Sequence, residues 1–426
     1  MPTHSAAQEL FEEFRRWPIL DVHSHIDPRR PAARDLGEVL GYHYYTELCH
    51  SAGMPSALVD PSLDARTRCE NLAGYLDRID NTAQYSWLLE IARTFHGFEG
   101  PAIDASTIGG LYDAAASAAA DGPRWDARVW ERSNLEAVFL TSDFDDPLDD
   151  FDTSRYVPCL RCDDLVLKLH VPATIGRLRQ ATGGDVADWS TLRAAIEALF
   201  AHFRAKGARA CAISLPPDFV PKPGSPRRAN TPIRRAIHGL DIRPDEHAEI
   251  RSTVLWLLAE LCDAHKLPFD LMIGPIRDAY PMGVAGGRDL FDRRVSLADY
   301  RHLFAAFPGV TFPVSTLSPD AAAELVAFAW IFPNVVPMGH WWYSNVPTYI
   351  AADLAARLEA VPKTSQVGYY SDAYKLEFVL PKFDMYRRIL AGVLAGRGWS
   401  VERAAGVGRH LLVDNPRRIF GIGPPA

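Results

Sequence analysis

Ile19-Leu20-Asp21-Val22-His23-Ser24-His25 begins apolar and β-branched and ends in two histidines one residue apart. The run reads as a strand. On a strand, residues i and i+2 share a face, so both imidazoles can converge on one cation. Two polar residues at a strand end would look the same, so the surroundings must decide. Outward from 19–25 lie seven more short apolar or β-branched runs, at 135–141, 156–161, 210–215, 269–273, 311–315, 335–338 and 366–371. Helix-like stretches at 192–205, 246–264, 296–307 and 319–332 fall between them, with Ser296 and Ser318 as candidate N-caps. Eight strands close a parallel barrel, so the expected fold is α/β, a (β/α)8 TIM barrel.

The last run supplies a partner for the histidines. Gly368-Tyr369-Tyr370-Ser371-Asp372 ends in a carboxylate. In a closed barrel the eighth strand neighbours the first, which sets Asp372 beside His23 and His25. Taken alone, Asp372 reads equally as the N-cap of a helix over 373–394. Two neutral imidazoles and a carboxylate suit one divalent ion, zinc first and manganese second. Strands four, five and six end in Ser214-Leu215-Pro216, Met272-Ile273-Gly274 and Val314-Ser315-Thr316. None adds a ligand, so the expected site is mononuclear.

Two regions interrupt the alternation. Residues 28–132 are too long for a βα loop and rich in helix formers. They are expected to form a helical insertion covering the mouth of a barrel made of 1–27 and 133–426. Residues 216–243 hold six prolines and many arginines and read as an extended loop or arm.

The 426 residues carry a net charge of −8 spread along the chain, which argues against nucleic-acid binding. No run approaches the ~18 apolar residues of a membrane span. No secretory signal is visible at the N-terminus, and six scattered cysteines read as free thiols. The expected setting is cytoplasmic. Cys159-x-x-Cys162 lacks a second pair, and on a strand its side chains diverge.

Several segments together resemble the uronate (glucuronate) isomerases of the amidohydrolase superfamily, over residues 18–420. They are PILDVHSHIDP from Pro18, GYHYYTEL from Gly41, TSDFDDPLDDF from Thr141 and SLPPDF from Ser214, followed by PFDLMIGPIRDAYP from Pro268, TLSPDAAAELV from Thr316, GHWWYSNVP from Gly339 and YSDAYKLEF from Tyr370. The resemblance implies an aldose–ketose isomerase of a sugar acid, with His23, His25 and Asp372 holding the metal. It implies His43 and Tyr44 reaching into the site, Tyr44 as a proton carrier, Arg161 on the substrate and Trp341 lining the pocket. A small-molecule sugar acid in a homo-oligomer is the expected partnership. Two positions depart from the pattern. Tyr374 stands where the family carries Arg, with Lys375 after it, and Met272 stands where many members carry His. The residues alone also admit a mononuclear hydrolase, lactonase or decarboxylase on the same barrel.

Overall fold

The structure, a computed structural model, describes residues 2–423. Its strands are β1 (Ile19–Asp21), β2 (Leu135–Phe139), β3 (Ser142–Asp143), β4 (Tyr156–Val157), β5 (Cys159–Arg161), β6 (Ala210–Leu215), β7 (Phe269–Ile273), β8 (Pro275–Ile276), β9 (Leu290–Phe291), β10 (Phe312–Thr316) and β11 (Val335–Pro337). All but the small β8–β9 hairpin pair in parallel, β1-β2-β4 in one run and β11-β10-β7-β6-β5-β3 in another. β2 and β3 are one barrel stave in two pieces. So are β4 and β5, separated by Pro158, which has no N–H to give a ladder. The central staves β7 and β10 are buried along their whole length, as parallel strands covered on both faces must be.

The eighth stave differs from the strand expected over 366–371. Only one bridge forms there, Met338 with Val367. Val367 N–H still reaches Pro337 O at 3.0 Å, but later donors are drawn elsewhere: Gly368 N–H to Leu411 O at 2.9 Å, and Ser371 N–H to Asp21 Oδ1 at 2.8 Å. The ring still closes against the first stave, through Asp372 N–H to His23 O at 3.1 Å and His25 N–H to Ala373 O at 2.8 Å. The chain is therefore a TIM barrel with one irregular stave.

Two helix readings need correction. Residues 216–243 contain a helix, Pro226–Ile237, not an arm. Ser225 caps it, Pro226 occupies the first turn where no N–H is needed, and Ala229, Ile233, Ala236 and Ile237 face the core. Counting prolines hid their positions. Asp372 caps no helix either, because the next α-helix is Val379–Ala395. Ser296 and Ser318 do cap, each accepting from the N–H two residues on, but both open 3-10 turns before their helices.

Helix α1 (Pro2–Arg16) precedes β1, and residues 28–132 carry α2 (Leu36–Leu40), α3 (His43–Ser51), α4 (Ala65–Ala73), α5 (Ala83–His96), α6 (Ile108–Ala118) and α7 (Gly122–Arg132). Glu377, fully buried beyond the eighth stave, pins this segment by accepting from Ala33 N–H at 2.9 Å and from Trp125 Nε1 at 3.0 Å. Burial pushes its carboxyl up to about 7, against the pull of those hydrogen bonds and of Lys375. A raised acid favours the protonated fold, so this stability is full below pH ~4.5 and is lost as pH rises through about 7. At about 1.4 kcal/mol per pH unit the whole effect is roughly 3 kcal/mol. Denaturant titrations between pH 5 and 8 should show stability falling more steeply for the parent than for Glu377→Gln. Parallel curves for the two proteins would contradict the assignment.

Candidate active site

His23 and His25 follow the end of β1, and Asp372 ends the eighth stave. One ligand-type atom of each lies within 4.8 Å of the others. His25 Nε2 is 3.3 Å and His23 Nε2 3.8 Å from Asp372 Oδ1. The far nitrogen of each ring is fixed from behind. His23 Nδ1 stands 3.0 Å from Asp270 Oδ2 on β7. A carboxylate accepts, so the Nδ1 proton points to Asp270 and Nε2 faces inward. For His25 the partner is Thr141 Oγ1, at 2.6 Å from Nδ1. Thr141 gives its only hydroxyl proton to Ser24 O at 3.1 Å, so its oxygen accepts from His25 Nδ1–H. Both Nε2 lone pairs are thus aimed toward Asp372.

Burial alone would lower the His23 pKa, but the Asp270 hydrogen bond and charge, helped by Asp372, raise it. Burial pushes Asp270 up despite its His23 contact, so the direction that matters for ligation is the imidazole's. For His25 burial wins and the pKa is lowered, against the pull of Asp372. Burial pushes Asp372 up, but the neighbouring imidazoles, His25 ahead of His23, hold it below its ordinary value. His23 Nε2 and Asp372 Oδ1 are buried and make no hydrogen bond. Buried orphans of this kind call for a partner, and a divalent cation fits a His, His, carboxylate set.

A chain of rings joins the insertion to this triad. His43 lies 4.3 Å from Tyr44 and 6.2 Å from Tyr374, and Tyr374 stacks on His25 at 5.0 Å and 24°. His43 Nε2 and Tyr44 Oη are also buried without partners. Burial drops His43 to about 4, so its imidazole is neutral at pH 7, and raises the Tyr44 phenol well above its usual value. Of the tryptophan pair, Trp342 meets His43 at 5.4 Å, and Trp341 packs 6.2 Å from Trp342 with its Nε1 buried and unpartnered. Tyr374 exposes 45% of its surface, yet burial of its phenol, with the charge of Asp372, pushes it up to about 12.

Arg161, at the end of β5, is held by Asp163 at 3.2 Å and borders a cavity of about 740 Å³ together with Arg277, Arg251 and Ser214. Lys375 turns away, bonding Glu38 Oε2 at 2.9 Å and Arg30 O at 3.0 Å. Asp270, Thr141 and Arg277 escaped the sequence reading. Asp270 had a signal: a charged residue inside the apolar run Phe269-Asp270-Leu271-Met272-Ile273 needs a buried partner. The cysteine pair is not a site. Cys162 Sγ lies 3.3 Å from Cys211 Sγ, and all six thiols are free and buried.

A TIM barrel with two imidazoles and a carboxylate converging at the C-terminal ends of its first and eighth staves defines the class, a barrel with a His, His, Asp set that could hold a metal ion. The chain belongs to the glucuronate isomerase family, whose model matches residues 1–403, and it is an isomerase by that membership. It is 22% identical to a uronate isomerase of Thermotoga neapolitana, over 98% of each chain. Its fold matches the crystal structures of uronate isomerase from Thermotoga maritima (TM-score 0.90, 20% identity, 98% and 97% of the two chains) and of glucuronate isomerase from Caulobacter crescentus (TM-score 0.90, 19% identity, 100% and 95%). No helix among the described residues is long and apolar enough to cross a membrane.

Proposed function

We propose that the chain interconverts a hexuronate, glucuronate or galacturonate, with its 2-keto isomer in the cytoplasm, as a homo-oligomer holding one zinc ion per chain. The supporting observation is the set of buried, partnerless polar atoms on His23, Asp372, His43 and Tyr44 within one family of isomerases. When bound, a divalent ion on His23, His25 and Asp372 supplies Lewis-acid stabilisation for negative charge developing on the sugar oxygens.

The chain's own groups do the rest. Asp372 takes the proton from C2 of the open-chain aldose and returns it to C1, which turns the C1 aldehyde into CH2OH. Tyr44 gives its phenolic proton to O1 and recovers one from O2, so atoms and charge balance. Neutral His43 offers a hydrogen bond without adding charge. Arg161, with Arg277 beside it, presents planar paired donors to the sugar carboxylate. Trp341, Trp342 and Tyr374 wall the pocket against water.

The test assays protein stripped of metal and reloaded with zinc or manganese on both hexuronates for ketose formation, beside a lactone panel. Ketose formation that needs reloading supports the reading. Turnover of lactones alone would replace it with a hydrolase.

A further inference from the structure

Helix Val379–Ala395 carries Lys382, whose side chain is completely buried. A buried ammonium is costly unless its protons are taken up. Here it is matched by oxygens and aromatic faces: Ser371 O at 2.8 Å, Tyr42 Oη at 3.2 Å, and the rings of Tyr42, Tyr44 and Trp87 at 5.1, 5.3 and 5.0 Å. Burial pushes it down to about 8, opposed by the charges of Asp372 and Asp21, so it remains a cation at neutral pH.

These contacts surround an unusual backbone. Asp372 has φ +52°, the left-handed region that a residue with a side chain seldom enters. Turning φ or ψ there swings the carbonyl of Ser371 or that of Asp372. Lys382 holds the first directly. The second accepts from Tyr42 Oη–H at 3.0 Å. Tyr42 has then used its only proton, so its oxygen accepts from Lys382. One ammonium therefore fixes both peptide planes flanking Asp372. Tyr42 also immediately precedes α3, the helix that begins with His43 and Tyr44.

We propose that Lys382 is a positioning residue that locks Asp372 in its left-handed conformation and ties it, through Tyr42, to the insertion bearing His43 and Tyr44. The inference rests on the His23, His25, Asp372 reading. Its test measures zinc affinity of the metal-stripped full chain by competition with a chromogenic chelator, beside kcat and KM on hexuronate. The variants are Lys382→Met, Lys382→Arg and Tyr42→Phe.

Lys382→Met should bind zinc about tenfold to a hundredfold more weakly, the usual effect of removing a group that orients a ligand. Its kcat should fall by more than its KM rises. Lys382→Arg, which keeps the charge and the aromatic contacts, should recover part of both. A lysine that merely stabilises the fold would lower the thermal midpoint and leave zinc affinity alone. That result, with the circular dichroism of the parent retained, overturns the proposal. Should Lys382→Met not fold, Tyr42→Phe decides, since it removes one link and keeps the charge. Weaker zinc binding supports the proposal and unchanged binding overturns it. A parent that binds no zinc defeats the triad reading and this inference with it. Parent binding matched by every variant defeats this inference alone.

Discussion

Asp372→Asn is expected to lower hexuronate isomerisation by at least about a thousandfold, within the range general acid–base groups contribute, and to weaken zinc binding in parallel. The substitution is clean for a backbone reason. Asp372 sits at φ +52°, and asparagine tolerates that region at least as well as aspartate. Its amide also has the shape of the carboxylate, so the contacts of Ser371 and Ala373 that frame the turn survive. What disappears is the negative charge between His23 Nε2 and His25 Nε2, and the oxygen proposed to carry the C2 proton. Loss of both functions from one atom makes this the largest single effect anticipated. The measurement is ketose formation and bound zinc per chain, with circular dichroism as control. Near-parent turnover would remove Asp372 from the chemistry.

The proximity of His23, His25 and Asp372 was legible because each half of the pattern is local: a His-x-His ends the first apolar run and an Asp ends the eighth. Barrel closure then brings the two ends together. The stave count was legible for the same reason, since β-branched runs alternate with helical ones. Illegible was everything set by backbone departures from regular strand. After Val367 the eighth segment leaves the ladder, giving the N–H groups of Gly368 and Ser371 to Leu411 O and Asp21 Oδ1, and no periodicity announces that. The left-handed Asp372 likewise breaks the i, i+2 rule that would have aimed Tyr374 into the pocket. Tyr374 reaches His25 by a bent path instead.

Partners distant in sequence were equally hidden. Asp270 meets His23 across 247 positions, and Thr141 meets His25 across 116. Lys382 looks like an ordinary helix lysine until the fold closes three aromatic rings around it. Lys375, the cation next to Tyr374 in sequence, is committed by the fold to Glu38 instead.

Tyr374→Arg is expected to lower KM for glucuronate or galacturonate by about tenfold or more. A charged hydrogen bond is worth about 1.5–3 kcal/mol, which spans tenfold to over a hundredfold in binding. Tyr374 is placed to deliver it. Its ring lies flat on His25 at the mouth, 45% of its surface is open, and Arg161 and Arg277 both act on its phenol. A guanidinium is planar and can take over the same stack while turning two donors to the sugar carboxylate. Crowding by a third cation is limited, because Arg161 is already paired with Asp163 and Arg277 with Asp289. In the parent, His43 is neutral and Lys375 is tied to Glu38, which leaves Arg161 with Arg277 as the cations proposed to meet the sugar carboxylate. Steady-state kinetics of parent and variant on both sugars, at equal zinc content, make the comparison. If the Arg variant gains on neither sugar while its fold and zinc content are unchanged, Tyr374 does not set the substrate, and the parent's Arg161 and Arg277 already satisfy the carboxylate.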